Sequence, residues 1–215
     1  ETLGWRVPRG NDLDTTYDSG FPIFWRDYER LDKPSATEHT MTASLDAAYK
    51  EAEKRGFGAK YEGVAWDKNF DEWLFEDSDP SSSPDATEIS FEFWSNKPNY
   101  DVTWNYDVGT NSYLRENGGD KFTDLISGEQ LSAKNVVIQF VRERGPVDRN
   151  KHMIYTTIGE GDALIFKNGE VIEGTWEKDS RTDRTMFYDE DGSEIKFVKG
   201  QIWIEAVPFG NDIDY

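Results

Sequence analysis

The sequence predicts an α+β chain: an N-terminal α/β remnant with one amphipathic helix, then a mostly antiparallel β domain, a small barrel or a sandwich of hairpins. Three observations predict this. Gly161 to Pro208 reads as short alternating apolar stretches separated by tight polar turns. Leu45, Ala48, Tyr49 and Ala52 recur at i, i+3, i+4 and i+7, the helical period. Between them, Glu76 to Ala86 is a run of Ser, Pro and Asp with little to bury.

Glu1 to Gly20 is rich in Gly, Pro, Asn and Asp and reads as irregular coil. Phe21 to Tyr28 carries four aromatic residues and suits a buried strand or a short helix. Thr42 or Ser44 can cap the helix that follows. Asp46 with Lys50 and Glu51 with Arg55 are i, i+4 pairs on its outer face, and Gly56 stands where a helix-ending glycine belongs. Lys68 to Phe75 suits a second short helix, with Phe70, Trp73 and Leu74 inward. The expected division is 1–79 for the N-terminal α+β part, 80–87 for a linker, 88–209 for the β domain and 210–215 for a tail. The helix stripe needs a layer to rest on, and the strands before residue 79 are few. That part therefore reads as half a domain, whereas Glu88 to Pro208 reads as an autonomous one.

Within the β part, Ile89 to Trp94, Tyr100 to Tyr106, Val136 to Arg144 and Met153 to Ile158 read as strands. Asp107 to Asn111 reads as a hairpin turn. Ala163 to Phe166 and Val171 to Glu177 flank Asn168-Gly169, a pair that favours positive φ at both turn positions. Thr185 to Tyr188, Ile195 to Val198 and Gln201 to Val207 continue the series, turned at Asp191-Gly192 and Lys199-Gly200. Trp176 and Trp203 lie in these strands and are expected in the core.

Composition bounds the function. Aromatic residues make up 14% of the chain and supply core volume that a hydrophobic fraction of 36% otherwise lacks. The net charge of −19 repels nucleic-acid phosphates and anionic membrane surfaces. Cationic partners, metal ions and neutral glycans are easier to accommodate. With no cysteine there is no disulfide frame, thiolate nucleophile or cysteine metal site. No apolar run reaches the roughly 20 residues of a membrane helix.

Two constellations could carry chemistry. Arg26, Asp27, Arg30, Glu38 and His39 gather two guanidinium groups, two carboxylates and an imidazole within a short span. They suit an anionic or sugar ligand, with Glu38 or His39 as acid or base. More simply, they suit a loop tied to the start of the helix. Lys178 and Arg181 are cations on a connection between hairpins, a place where ligands are often held, or simply a solvated turn. Asp189-Glu190-Asp191-Gly192 lacks the ligand spacing of a calcium loop and reads as a turn. No metal site and no cofactor are expected, and no nucleophile motif or phosphate-binding glycine loop occurs.

The run GDALIFKNGEVIEGTWEKDSRTDRTMFYDEDGSEIKFVKGQIWIEAVP, with NSYLRENGG (111–119), SGEQLSAKNVVIQFV (127–141) and FWRDYERLDKPSATEHTM (24–41), resembles the YerB-like putative lipoprotein family of bacteria. The resemblance keeps its order over most of the chain. That family has no established activity, and its N-terminal domain starts earlier than the matching residues here. What the resemblance implies is a place outside the cytoplasm, at the cell surface or in the periplasm, and a lipid anchor upstream of Glu1. The expected role is non-catalytic binding or scaffolding, with a cell-envelope component or another protein chain as partner. An envelope glycan- or peptide-acting enzyme using the Arg26–His39 cluster, and a structural module assembling with another chain, stay open beside it.

Overall fold

A computed structural model of the chain describes residues 20–30, 34–56, 60–61, 64–65 and 70–215. The coil expected over the first residues, and the start of the helix expected at Lys68, lie outside the described residues. The chain divides into two compact units, Glu1–Phe70 and Asp71–Tyr215.

In the first unit, Phe24–Arg26 pairs antiparallel with Met41–Ala43, with Phe24 opposite Ala43. Of the aromatic run, Phe24 and Trp25 are half-buried, while Phe21 and Tyr28 are exposed. The helix spans Leu45–Lys54. Ser44 caps it, its Oγ accepting from the Ala47 amide at 3.3 Å. Glu51 pairs with Arg55 at 2.7 Å, and Gly56 leaves the helix at φ +78°. None of its residues is buried, and Leu45 and Tyr49 are 73% and 74% exposed. A helix of this length is marginal in water without a packed face.

In the second unit a five-stranded antiparallel sheet runs in the order Ser132–Ala133, Ser112–Asn117, Val102–Asp107, Glu88–Phe91, with Asp120–Lys121 beside Ser112–Asn117. A six-stranded sheet runs Ile154–Thr156, Asn135–Arg144, Gly159–Lys167, Glu170–Lys178, Met186–Asp189, with Ile202–Pro208 also paired to Asn135–Arg144. The sheets do not close into a barrel; they share a core. Ile89, Trp104 and Tyr113 of the first meet Val136, Ile138, Phe166 and Val207 of the second. Successive side chains of a strand alternate between faces. Val137, Val141 and Ile165 therefore point the other way, into a second cluster with Trp176, Phe187 and Phe197. Trp176 is buried, its indole N–H donating to the Phe140 carbonyl at 2.8 Å, and Trp203 is half-buried.

The hairpin signals are realised locally. Asn168 and Gly169 take φ +58° and +80° between the strands that they join. The last step differs. Lys199-Gly200 does not fold Ile202–Pro208 back on its predecessor. That strand runs parallel to Asn135–Val141, and Lys196–Val198 pairs parallel with Leu74–Glu76. The residues read as a second helix are thus partly a strand. Trp73 packs on Phe187 and Phe197, and this tertiary contact overrides the helical spacing.

The Ser/Pro run is not a free linker. The amides of Ser81, Asp85 and Ala86 donate to Asn168 and Gly169 carbonyls at 2.9–3.0 Å. Asn111 Nδ2 donates to Asn168 Oδ1 at 3.0 Å, and Asn168 Nδ2 to Ser78 Oγ at 2.8 Å. A Cβ on Gly169 would stand 2.6 Å from both Pro84 Cβ and Tyr106 Cε1, so glycine serves the turn and the close approach together. The expected tail is also part of this unit. Ser90 and Asp214 exchange two backbone hydrogen bonds of 2.9 Å, and the Tyr215 ring lies 5.4 Å from that of Phe166.

Candidate functional site

The strand pair of the first unit brings the Arg26–His39 residues together. The Arg26 guanidinium donates to the Thr37 carbonyl and, at 3.3 Å, to Thr40 Oγ1. Arg30 donates to the His39 carbonyl at 3.0 Å. The Asp27 carboxylate accepts the amides of Glu29 and Arg30, both at 3.1 Å. Each of these charges therefore grips backbone of its own loop. Glu38 and His39 stand exposed on the short 3-10 turn Thr37–Thr40.

At the second candidate, the Lys178 ammonium donates to the Asp183 carbonyl, and Arg181 is exposed on the same connection. The guanidinium carbon of Arg184 lies 3.9 Å from the centre of the Trp73 ring. Asp189 accepts the amides of Asp191 and Ser193 at 3.1 and 2.8 Å, as a turn residue does. Among the described residues no three His, Asp or Glu side chains converge as metal ligands.

A third place was not singled out from the sequence. Phe91–Ser95, Glu143, Pro208–Asp212 and Asp214 line a groove of about 640 Å³ in the second unit. Its walls come from the end of one strand of the five-stranded sheet and from the chain leaving Ile202–Pro208. Asn211 fastens them: its Nδ2 donates to the Glu92 carbonyl at 2.8 Å and to that of Phe93 at 3.2 Å. The rings stand steeply. Phe93 meets Trp94 at 5.5 Å and 73°, and Trp94 meets Tyr100 at 4.9 Å and 61°. Trp94 and Phe209 are 39% and 52% exposed, large apolar surface at a concavity rather than in a core. Beside them the Tyr155 hydroxyl donates to Glu143 Oε2 at 2.7 Å. Burial first, and this carboxylate second, push the Tyr155 phenol above its ordinary range. A small set of carboxylates around an aromatic wall can hold and orient a ligand.

The family profile described as "Protein of unknown function (DUF3048) C-terminal domain" matches residues 89–204, more than half of the chain. The chain belongs to this family. It is similar to "Putative lipoprotein YerB" of Bacillus subtilis (strain 168), with 26% identity over 186 residues, 86% of this chain and 51% of that protein. It therefore spans about half the length of this curated relative. A crystal structure of YerB protein from Bacillus subtilis shares the fold, with a TM-score of 0.69 at 23% identity over 99% of this chain and 66% of that one. The groove residues 91–95 and Glu143 fall inside the family match, and the stretch from Pro208 to Asp214 begins four residues after its end. Among the described residues no helix is long and apolar enough to cross a membrane.

Proposed function

We propose that this is an extracytoplasmic, non-catalytic binding protein of the cell envelope and that its site is the groove between Phe91–Ser95 and Pro208–Asp214. The carrying observation is the pair of exposed rings, Trp94 and Phe209, standing over a concavity rimmed by carboxylates. A soluble chain gains nothing in stability by leaving such rings in water, whereas a ligand would cover them. The relative's name supports a place at the envelope. The Arg26–His39 cluster supports an enzyme reading less well, because its guanidinium groups are held by backbone carbonyls.

Cosedimentation with isolated Bacillus subtilis envelopes tests the reading. Trp94→Ala with Phe209→Ala is expected to reduce bound protein at least tenfold, and Arg26→Ala with His39→Ala to leave it unchanged. The reverse pattern would overturn it. A second reading, assembly with another chain, draws on exposed Leu45 and Tyr49 of the helix. Light scattering of the parent and of Leu45→Ser/Tyr49→Ser decides whether that chain is a second copy: a monomer in both cases removes self-assembly.

A further inference from the structure

The groove is chemically one-sided. Its lining contains four carboxylates, Glu92, Glu143, Asp212 and Asp214, and no Lys or Arg. Resting on the reading of the groove as a binding site, we propose that its occupant is a basic peptide segment of a partner protein. A Lys or Arg side chain lies along Trp94 and Phe209, and its head reaches the carboxylates.

Three observations converge on a cation carried by a peptide. Charge complementarity comes first: four like charges around one concavity repel each other and any anion, and an ammonium or guanidinium group relieves both. Ring geometry comes second. A sugar ring stacks on an open, flat aromatic face. Here the two lining rings Phe93 and Trp94 meet at 73° and offer a faceted wall instead. A cation is attracted to a ring face wherever it finds one, and cages of steeply set rings suit it. The amphipathic build of Lys and Arg comes third, because an apolar stem can cover Trp94 and Phe209 while the charged head stays among carboxylates and water. The chain holds a cation in this way in its own core. The Arg115 guanidinium carbon lies 5.7, 4.7 and 5.0 Å from the ring centres of Trp104, Phe122 and Trp203, and its Nε is 3.3 Å from Glu205 Oε1.

The test uses the full chain, labelled with nitrogen-15, and four probes: tetralysine, tetraglutamate, N-acetylglucosamine tetramer and its deacetylated, cationic form. Tetralysine is expected to shift the Trp94 indole signal and the amides of 92–95 and 209–212 at micromolar to millimolar concentration, more weakly as salt is raised. Glu143→Gln with Asp212→Asn should weaken it at least tenfold, while Glu190→Gln with Asp191→Asn, equal in charge but outside the groove, should leave it unchanged. Tetralysine shifts spread over the acidic surface, or equal losses in both double variants, would overturn the proposal. So would the deacetylated sugar binding more tightly than tetralysine. Binding of the neutral tetramer alone in the groove would overturn the basic peptide and keep the groove as a site. If no probe reaches the groove, and envelope cosedimentation also survives Trp94→Ala/Phe209→Ala, the site itself falls.

Discussion

Removing one partner of the Arg115–Glu205 pair should cost more than any other single polar change in the second unit. Arg115 comes from the five-stranded sheet and Glu205 from the six-stranded one, and their side chains are only 8% and 11% exposed. Glu205 Oε1 accepts from Arg115 Nε and from Trp104 Nε1, each at 3.3 Å. Glu205→Leu would leave a buried guanidinium among three aromatic rings with only Asn117 Oδ1, at 3.1 Å, as a remaining side-chain acceptor. Breaking such a pair from one side costs about 3–5 kcal/mol. Against a total stability of about 5–15 kcal/mol this is about a fifth or more. At about 2–4 °C per kcal/mol for a unit of this size, the melting temperature should fall by roughly 6–20 °C. Arg115→Met together with Glu205→Leu removes both charges and should recover most of the loss, because the desolvation penalty disappears with the pair. Urea unfolding followed by tryptophan fluorescence measures all four corners of the cycle. If Glu205→Leu melts like the parent, or if the two losses simply add in the double variant, Arg115 and Glu205 are not a buried, coupled pair.

Two further outcomes follow from the same structure. Asp71–Tyr215 expressed alone should fold, with dispersed amide signals, whereas Glu88–Pro208 should not, because it lacks Trp73, Leu74–Glu76 and the tail that pairs with Ser90; a disordered spectrum for the longer piece, or a native one for the shorter, would contradict this. Burial pushes the Tyr113 phenol well above its ordinary range and raises Tyr106, Tyr155, Tyr188 and Tyr215 as well. The unfolded chain therefore loses these protons first, so their stabilisation is complete below about pH 10 and is lost as pH rises toward the folded values. An absorbance titration of the ten tyrosines should show a late fraction that shrinks in Tyr113→Phe; all ten titrating together near pH 10 in the folded chain would contradict it.

Local features were legible in the sequence. Asn168-Gly169 demands positive φ whatever surrounds it, and Ser44 with Gly56 brackets the helix by backbone chemistry alone. The parallel pairing of Ile202–Pro208 with Asn135–Val141 was not legible, since an alternating strand carries no mark of its partner's direction. Glu76 to Ala86 reads as a linker because a segment that satisfies hairpin turns with hydroxyls and amides has the same composition as a free one. The spacing of Arg26, Arg30 and His39 puts them on neighbouring stretches of chain, but it could not show that the arginines hold the Thr37 and His39 carbonyls while the Glu38 and His39 side chains stay exposed. The groove was hidden for a different reason. Glu92, Glu143 and Asp212 are far apart in the chain, and Phe91-Glu92-Phe93-Trp94 looks like the continuation of a strand. Its one local signal was Pro208-Phe209-Gly210-Asn211, an aromatic residue set in a turn sequence after the last strand.

The central claim is that the groove, and not either charged loop, is where this protein meets its ligand. Nitrogen-15 amide mapping of the full chain with a soluble digest of Bacillus subtilis envelopes tests it most directly. Saturable shifts are expected at the Trp94 indole and at the amides of 92–95 and 209–212, with the amide shifts lost in Trp94→Ala. Saturable shifts centred instead on Arg26–His39 or on Lys178–Arg181, with the Trp94 indole unmoved, would contradict it.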